Sequence, residues 1–154
     1  IEDILTLARE GKRVQEIGTV DFEDVIDSCW RNVETKDATL EVKTNATIKA
    51  DEDRLPHILE NLFSNAIRHG GDDVTITIGT LSDGTGFYVA DNGPGIPEDQ
   101  RDDIFEYGYS TSEEGTGFGL AIVKEIVEAH GWNLTVTESD DGGARFEIRN
   151  VEFE

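Results

Sequence analysis

Positive charge, cysteine and long apolar runs are all scarce in this chain. Its 154 residues hold 13 Lys and Arg against 34 Asp and Glu, for a net charge of -21. A surface so acidic repels nucleic acid and anionic membranes at low salt, so neither is expected as a partner. The single cysteine, Cys29, has no mate for an internal disulfide and no ligand cluster around it, and reads as a reduced, partly buried thiol. No apolar run approaches membrane-spanning length, and the first residues lack the basic start and apolar core of a signal peptide. The covered chain therefore reads as soluble and cytoplasmic. Methionine is absent. A chain that opens without it, inside a helical pattern, reads as a piece of a longer protein whose remainder has room for a membrane anchor.

The shortage of cations does not imply disorder. Hydrophobic residues still make up 36% of the chain, in short patterned runs, and a chain of this length suits one compact domain. An acidic surface over a folded core fits a protein adapted to a salt-rich cytoplasm such as that of a haloarchaeon, where dissolved ions screen the acids from one another. It also means that a bound triphosphate would need divalent metal and local backbone donors to offset the surrounding field.

Apolar periodicity divides the chain. Ile1, Ile4, Leu5, Leu7 and Ala8 form a helical stripe ending near Gly11, read as the tail of a longer helix over 1–11, with the main domain over 12–154. A second helix is expected from about Asp21, as its cap, to Glu34, and a third from Asp53 to His69, where Pro56 is tolerated only near the start. Leu40 and Val42 mark one short strand and Thr47 to Ala50 another. Val74 to Ile78 and Gly86 to Ala90 alternate around Ser82-Asp-Gly84 and predict a hairpin. Asp91 to Gly119 reads as a long lid-like segment holding a short helical piece. A helix from Leu120 to Ala129 and a closing hairpin, Leu134 to Thr137 with Ala144 to Ile148, complete the pattern. The expected fold is an α/β (α+β) two-layer sandwich, with a mixed, mostly antiparallel sheet and the helices on one face.

Three segments carry candidate chemistry. On the Asp53–His69 helix, Asn61, Asn65 and Arg68 fall at i, i+4 and i+7, on one face opposite the apolar one. Amide oxygens suit Mg²⁺ beside phosphate, although two asparagines on a helix face equally describe solvated surface. Asp91-Asn-Gly-Pro-Gly-Ile96 follows a strand end, where a carboxylate can accept from an exocyclic amine and glycines admit a flat ring. An ordinary turn has the same composition. Gly115-Thr-Gly-Phe-Gly-Leu120 precedes a helix and can present backbone N–H groups to phosphate. It lacks the preceding strand and downstream acid of a dinucleotide fingerprint.

Taken in order, these segments resemble the ATP-binding catalytic domain of sensor histidine kinases, in the GHKL (Bergerat) superfamily shared with type II topoisomerases, Hsp90 chaperones and MutL repair proteins. Asn61-Leu-Phe-Ser-Asn65-Ala resembles the N box, Asp91 to Ile96 the G1 box, Ile104-Phe105-Glu106 the F box and Gly115 to Leu120 the G2 box; Gly142-Gly-Ala-Arg-Phe146 also has the family's look. The resemblance covers roughly Phe22 to Ile148.

By that resemblance Asn65 would coordinate Mg²⁺, Asn61 would support the metal and phosphate site, and Arg68 with neighbouring His69 would stand on the phosphate side. Asp91 would bind the adenine amine, with Gly93, Gly95 and Ile96 shaping the ring's edge. Phe105, Gly115, Thr116, Gly117, Phe118, Gly119 and Leu120 would belong to a mobile ATP lid. In the hydrolysing branches a glutamate stands four residues before the metal asparagine; here Asn61 stands there and is a poor base. Glu60 would point about 100° away on the helix. Transfer of the γ-phosphoryl group to a histidine is therefore expected over hydrolysis. Gly108 and Ser110 depart from the F box, which keeps a degenerate nucleotide-binding or interaction module as a rival reading beside a hydrolysing GHKL ATPase. None of His57, His69 and His130 sits in a phosphoacceptor motif. The resemblance implies partners for the whole protein: a histidine-bearing dimerisation domain and a response-regulator receiver domain. The fragment is expected to be monomeric and the full-length protein a homodimer.

Overall fold

The computed structural model describes residues 17–33, 37–70, 73–100, 119–140 and 142–153. The expected helix tail over 1–11 and the lid residues 101–118 lie outside the described residues. The described residues form seven strands and three α-helices: β1 (Ile17–Asp21), α1 (Phe22–Asn32), β2 (Thr39–Lys43), β3 (Thr47–Asp51), α2 (Leu55–Gly70), β4 (Thr75–Thr80), β5 (Gly86–Asp91), α3 (Gly119–Ala129), β6 (Asn133–Glu138) and β7 (Ala144–Arg149).

The main sheet has the order β2-β4-β5-β7-β6. Only the β2–β4 pair is parallel, with β3 and α2 forming its crossover; the other three pairings are antiparallel. β1 and β3 form a separate antiparallel ribbon. β1 has no counterpart in the sequence reading, because Ile-Gly-Thr-Val-Asp carries only Val20 as a buried residue and shows no alternation.

The three helices pack side by side, and one face of the sheet closes the core against them. Phe87 and Val89 of β5, Ile76 and Ile78 of β4, and Phe146 and Ile148 of β7 point into that core. Their alternates Tyr88, Arg145 and Glu147 lie on the open face, where the Arg145 guanidinium sits 4.0 Å over the Tyr88 ring and its Nε bonds Glu147 at 2.8 Å. Phe22 and Phe87 meet at 4.7 Å between ring centroids, and Trp30 stands edge-on to Phe63 at 5.5 Å. Trp132, just before β6, is core: it is buried against Phe87 and stacked on His130.

Helix boundaries follow local chemistry. The Asp21 side chain accepts from Asp24 N–H at 3.4 Å and caps α1. α2 begins at Leu55 rather than near Asp53. Asp51 holds the preceding turn instead, its Oδ1 accepting from Asp53 N–H at 2.9 Å and its carbonyl from Arg54 N–H at 3.1 Å. Pro56 then falls in the first helical turn, where its missing N–H leaves no bond unmade.

Candidate functional site

The site forms where the end of α2, the loop after β5 and the β6–β7 turn meet. Gly93 lets the first two touch: a Cβ there would lie 2.6 Å from Gly70 Cα, so the loop rests on the helix end only as glycine. Asn92 roots the loop on β4. Thr75 N–H donates to its Oδ1 at 2.8 Å, and Asn92 N–H returns a bond to Thr75 O at 3.3 Å. Gly95 takes φ +79°, and a Cβ would approach Gly142 O to 2.7 Å. A pocket of about 290 Å³ opens between this loop, including Ile96, and the Gly142–Gly143 turn. Asn61 and Asn65 do not line it.

Asp91 ends β5 at the centre of this arrangement. Its Oδ1 accepts from Gly93 N–H at 2.9 Å and Ala144 N–H at 3.2 Å; among the described residues no hydrogen bond reaches Oδ2. Burial pushes the carboxyl above its ordinary range, against the pull of those two donors and of His69. For His69, burial lowers the imidazole's basicity and Arg68 adds to that, while Asp91 opposes it. A proton-poor imidazole therefore stands near a partly desolvated carboxylate.

α2 supplies the other candidates. Asn65 is only 9% exposed, Asn61 is half-buried and Arg68 is exposed. This corrects the expectation that all three lie on a face opposite the apolar one. α2 is flanked by α1 and α3 and backed by the sheet, so its apolar stripe is broad enough to enclose Asn65 beside Leu62 and Ala66. Among the described residues nothing hydrogen-bonds the Asn65 amide. Asn61 Nδ2 donates to His57 O at 2.6 Å, which leaves Oδ1 as an acceptor.

Glu60 belongs to the other side of the helix. Asn32 Nδ2 of α1 donates to its Oε2 at 3.4 Å. The Cys29 thiol, only 1% exposed and so fully rather than partly buried, lies within reach of it; burial first, then the Glu60 carboxylate, pushes that thiol up to about 12. His130 is structural: its Nδ1 bonds Ile126 O at 2.8 Å, and its Nε2 accepts from Asp51 N–H at 3.1 Å.

Gly119 opens α3, and Leu120 packs half-buried against the core. Phe105, Gly115, Thr116, Gly117 and Phe118 lie outside the described residues. The sequence reading missed Ser139, whose Oγ donates to Asp91 O at 2.7 Å and accepts from Gly143 N–H at 2.8 Å. Its only nearby signal was the Gly142-Gly-Ala segment.

Known proteins resemble this chain in sequence and in fold. Residues 50–153 match the model of the histidine kinase-, DNA gyrase B- and HSP90-like ATPase family. A signal transduction histidine-protein kinase of Streptomyces coelicolor, AfsQ2, is 36% identical over 136 residues, which cover 84% of this chain and 25% of the relative. The chain thus spans about a quarter of the length of the curated relatives it matches. Among solved structures, the mycobacterial sensor histidine kinase MprB superposes with a TM-score of 0.76 at 28% identity, over 90% of this chain and 97% of that one. Full-length ShkA, solved in complex with AMPPNP, gives 0.77 at 31% identity over 99% of this chain and 35% of that one. Among the described residues no helix is long and apolar enough to cross a membrane. Matched over two thirds of its length and alike in fold, the chain belongs to the histidine kinase-, DNA gyrase B- and HSP90-like ATPase family, as an ATP-binding catalytic domain of the histidine kinase type.

Proposed function

We propose that this domain binds Mg²⁺-ATP between α2 and the lid segment, and that in the full-length protein it passes the γ-phosphoryl group to a histidine on a dimerisation domain. The observation that carries this reading is Asp91. A carboxylate held by two backbone donors on one oxygen keeps the other for an exocyclic amine, and partial desolvation strengthens that bond. Gly93 and Gly95 let the loop beside it seat closely on Gly70 and on the Gly142–Gly143 turn. ShkA, of the same fold, was solved with an ATP analogue.

The metal side rests on the donor chemistry of α2. Among the described residues no cluster of three or more His, Cys, Asp or Glu could cage a cation. Asn65, enclosed and uncharged, and Asn61, with Oδ1 left over, offer hard neutral oxygens that suit Mg²⁺ already carried by phosphates. The ion would neutralise charge on the β- and γ-phosphates. Arg68, exposed and three residues beyond Asn65 on the same helix, would offer a cation to phosphate. Lid residues Phe105 and Gly115 to Leu120 would close over the nucleotide.

Transfer rather than hydrolysis is supported by the lack of a base beside the proposed metal ligands on α2. Asn61 cannot take a proton from water, and Glu60 is engaged with α1 through Asn32. In the full-length homodimer a response-regulator receiver would accept the phosphoryl group next, in the cytoplasm, whether or not the parent is membrane-anchored. The acidic surface fits a halophilic host.

Calorimetric titration with ATP, with and without Mg²⁺, tests the reading. Asp91→Asn is expected to weaken ATP by about 10- to 100-fold, since a hydrogen bond to a charged group contributes about 1.5–3 kcal/mol. Asn65→Ala is expected to remove the Mg²⁺-dependent part of binding while leaving metal-free nucleotide binding in place. A folded chain that binds no nucleotide would overturn the proposal in favour of a degenerate interaction module. Mg²⁺-dependent phosphorylation of a separately supplied histidine domain then separates a kinase from a binding module.

A further inference from the structure

Ser139 lies at the end of β6, 48 residues from Asp91, and is only 8% exposed. Its single hydroxyl joins two chain segments by donating to the Asp91 carbonyl at 2.7 Å and accepting from Gly143 N–H at 2.8 Å. The turn is folded around the same residue. Ser139 N–H donates to Gly143 O at 2.8 Å, and Gly142 N–H to Ser139 O at 3.0 Å. With both turn glycines keyed to it, Ser139 sets where Ala144 begins β7, and Ala144 N–H is one of the two donors on the Asp91 carboxylate. Gly143 packs so closely on Asp91 that a Cβ there would overlap its backbone oxygen and carboxylate, and Gly95 rests against Gly142 O.

From this geometry we infer that Ser139 is a positioning residue for base selection: it holds the Asp91 carboxylate at the height and angle at which it discriminates a purine amine from a purine carbonyl. The inference rests on the proposed role of Asp91. Loss of the hydroxyl leaves a carbonyl and an N–H without their shared partner in a near-dry place, so the turn shifts and the Ala144 donor moves off Oδ1. The charge stays on Asp91, but its fixed orientation is lost. On the proposed reading the phosphates would be held by Asn61 and Asn65 of α2, which do not line the pocket beside this turn.

The test compares ATP with inosine triphosphate, which carries a carbonyl oxygen where ATP has its amine, in Mg²⁺ buffer by calorimetry on the 154-residue chain. The wild type should prefer ATP, and Ser139→Ala should reduce that preference by about tenfold, the worth of one well-placed hydrogen bond, with little change for inosine triphosphate. Ser139→Thr, which keeps an oxygen in place, should restore the preference. Each variant is melted first; if S139A does not fold, Ser139→Cys, of similar size and with a much weaker donor, replaces it. An equal loss for both nucleotides marks Ser139 as merely structural and overturns the inference. A wild type without preference overturns the Asp91 reading itself, and this one with it.

Discussion

Single residues here trade fold stability against function in opposite directions. The Asp91 carboxyl titrates above its ordinary range because it is buried. The folded state therefore binds that proton more tightly than the unfolded chain, and the associated stability is lost as pH rises through the folded value. At neutral pH the ionised group weakens the nucleotide-free fold, so Asp91→Asn should melt no lower than the wild type while losing ATP. His130 works the other way. Burial holds it below its ordinary value near 6.5, and the unfolded chain takes up its proton first as pH falls. Stability should then decline below about pH 6.5, with the protonated ring unable to accept from Asp51 N–H. His69 shares the sign. A melting series from pH 8 to 5 should therefore show a slope that His130→Gln reduces and does not abolish; an unchanged slope would remove His130 from the account.

Among the elements, α2 and the loop after β5 matter most because they touch at two glycines. Gly93→Ala would set a methyl carbon 2.6 Å from Gly70 Cα and 3.3 Å from Asp91 Oδ1. Overpacking of that kind costs about 1–3 kcal/mol, and the shift falls on the donor that steadies Asp91. Urea melts and ATP titration should therefore fall together. Gly18→Ala is the control, since a Cβ there meets nothing within 4 Å. α2 itself was legible from its apolar spacing, Leu55 to Ile67, but the enclosure of Asn65 was not. Spacing assigns a residue to a face, and only the helices packed on either side decide how wide the buried stripe becomes.

At the scale of the whole molecule acid predominates, while among the described residues the core is apolar with Asp51 as its one buried acid. With net charge -21, self-repulsion opposes compaction, and added salt should relieve it. The melting midpoint is expected to rise between about 0.1 M and 1 M KCl, as the screening length shrinks from about 10 Å to about 3 Å. A flat or falling midpoint would count against adaptation to a salt-rich cell. Beneath that surface the core behaves like any other. Phe87 is fully buried between Phe22 and Trp132, so Phe87→Ala should destabilise by about 3–5 kcal/mol in denaturant melts.

Periodicity, glycine placement and strand-end polar residues are local properties. From them alone came three helices, the two hairpins, a layered sheet with helices on one face, and the candidates Asn61, Asn65, Asp91, Gly93 and Gly95. The tertiary structure decided what depends on distant segments meeting. β1 pairs with β3 although its own sequence scarcely alternates, and β2 runs parallel to β4 because the chain crosses over through α2. Ser139 reaches Asp91 across 48 residues, a contact that no short-range pattern encodes. Helix geometry turns Glu60 away from Asn61 and Asn65, and the arrival of α1 gives it Asn32 and Cys29 as neighbours. Side-chain spacing sets which residues share a face, while burial, hydrogen-bond partners and shifted proton affinities arise only when the other faces arrive.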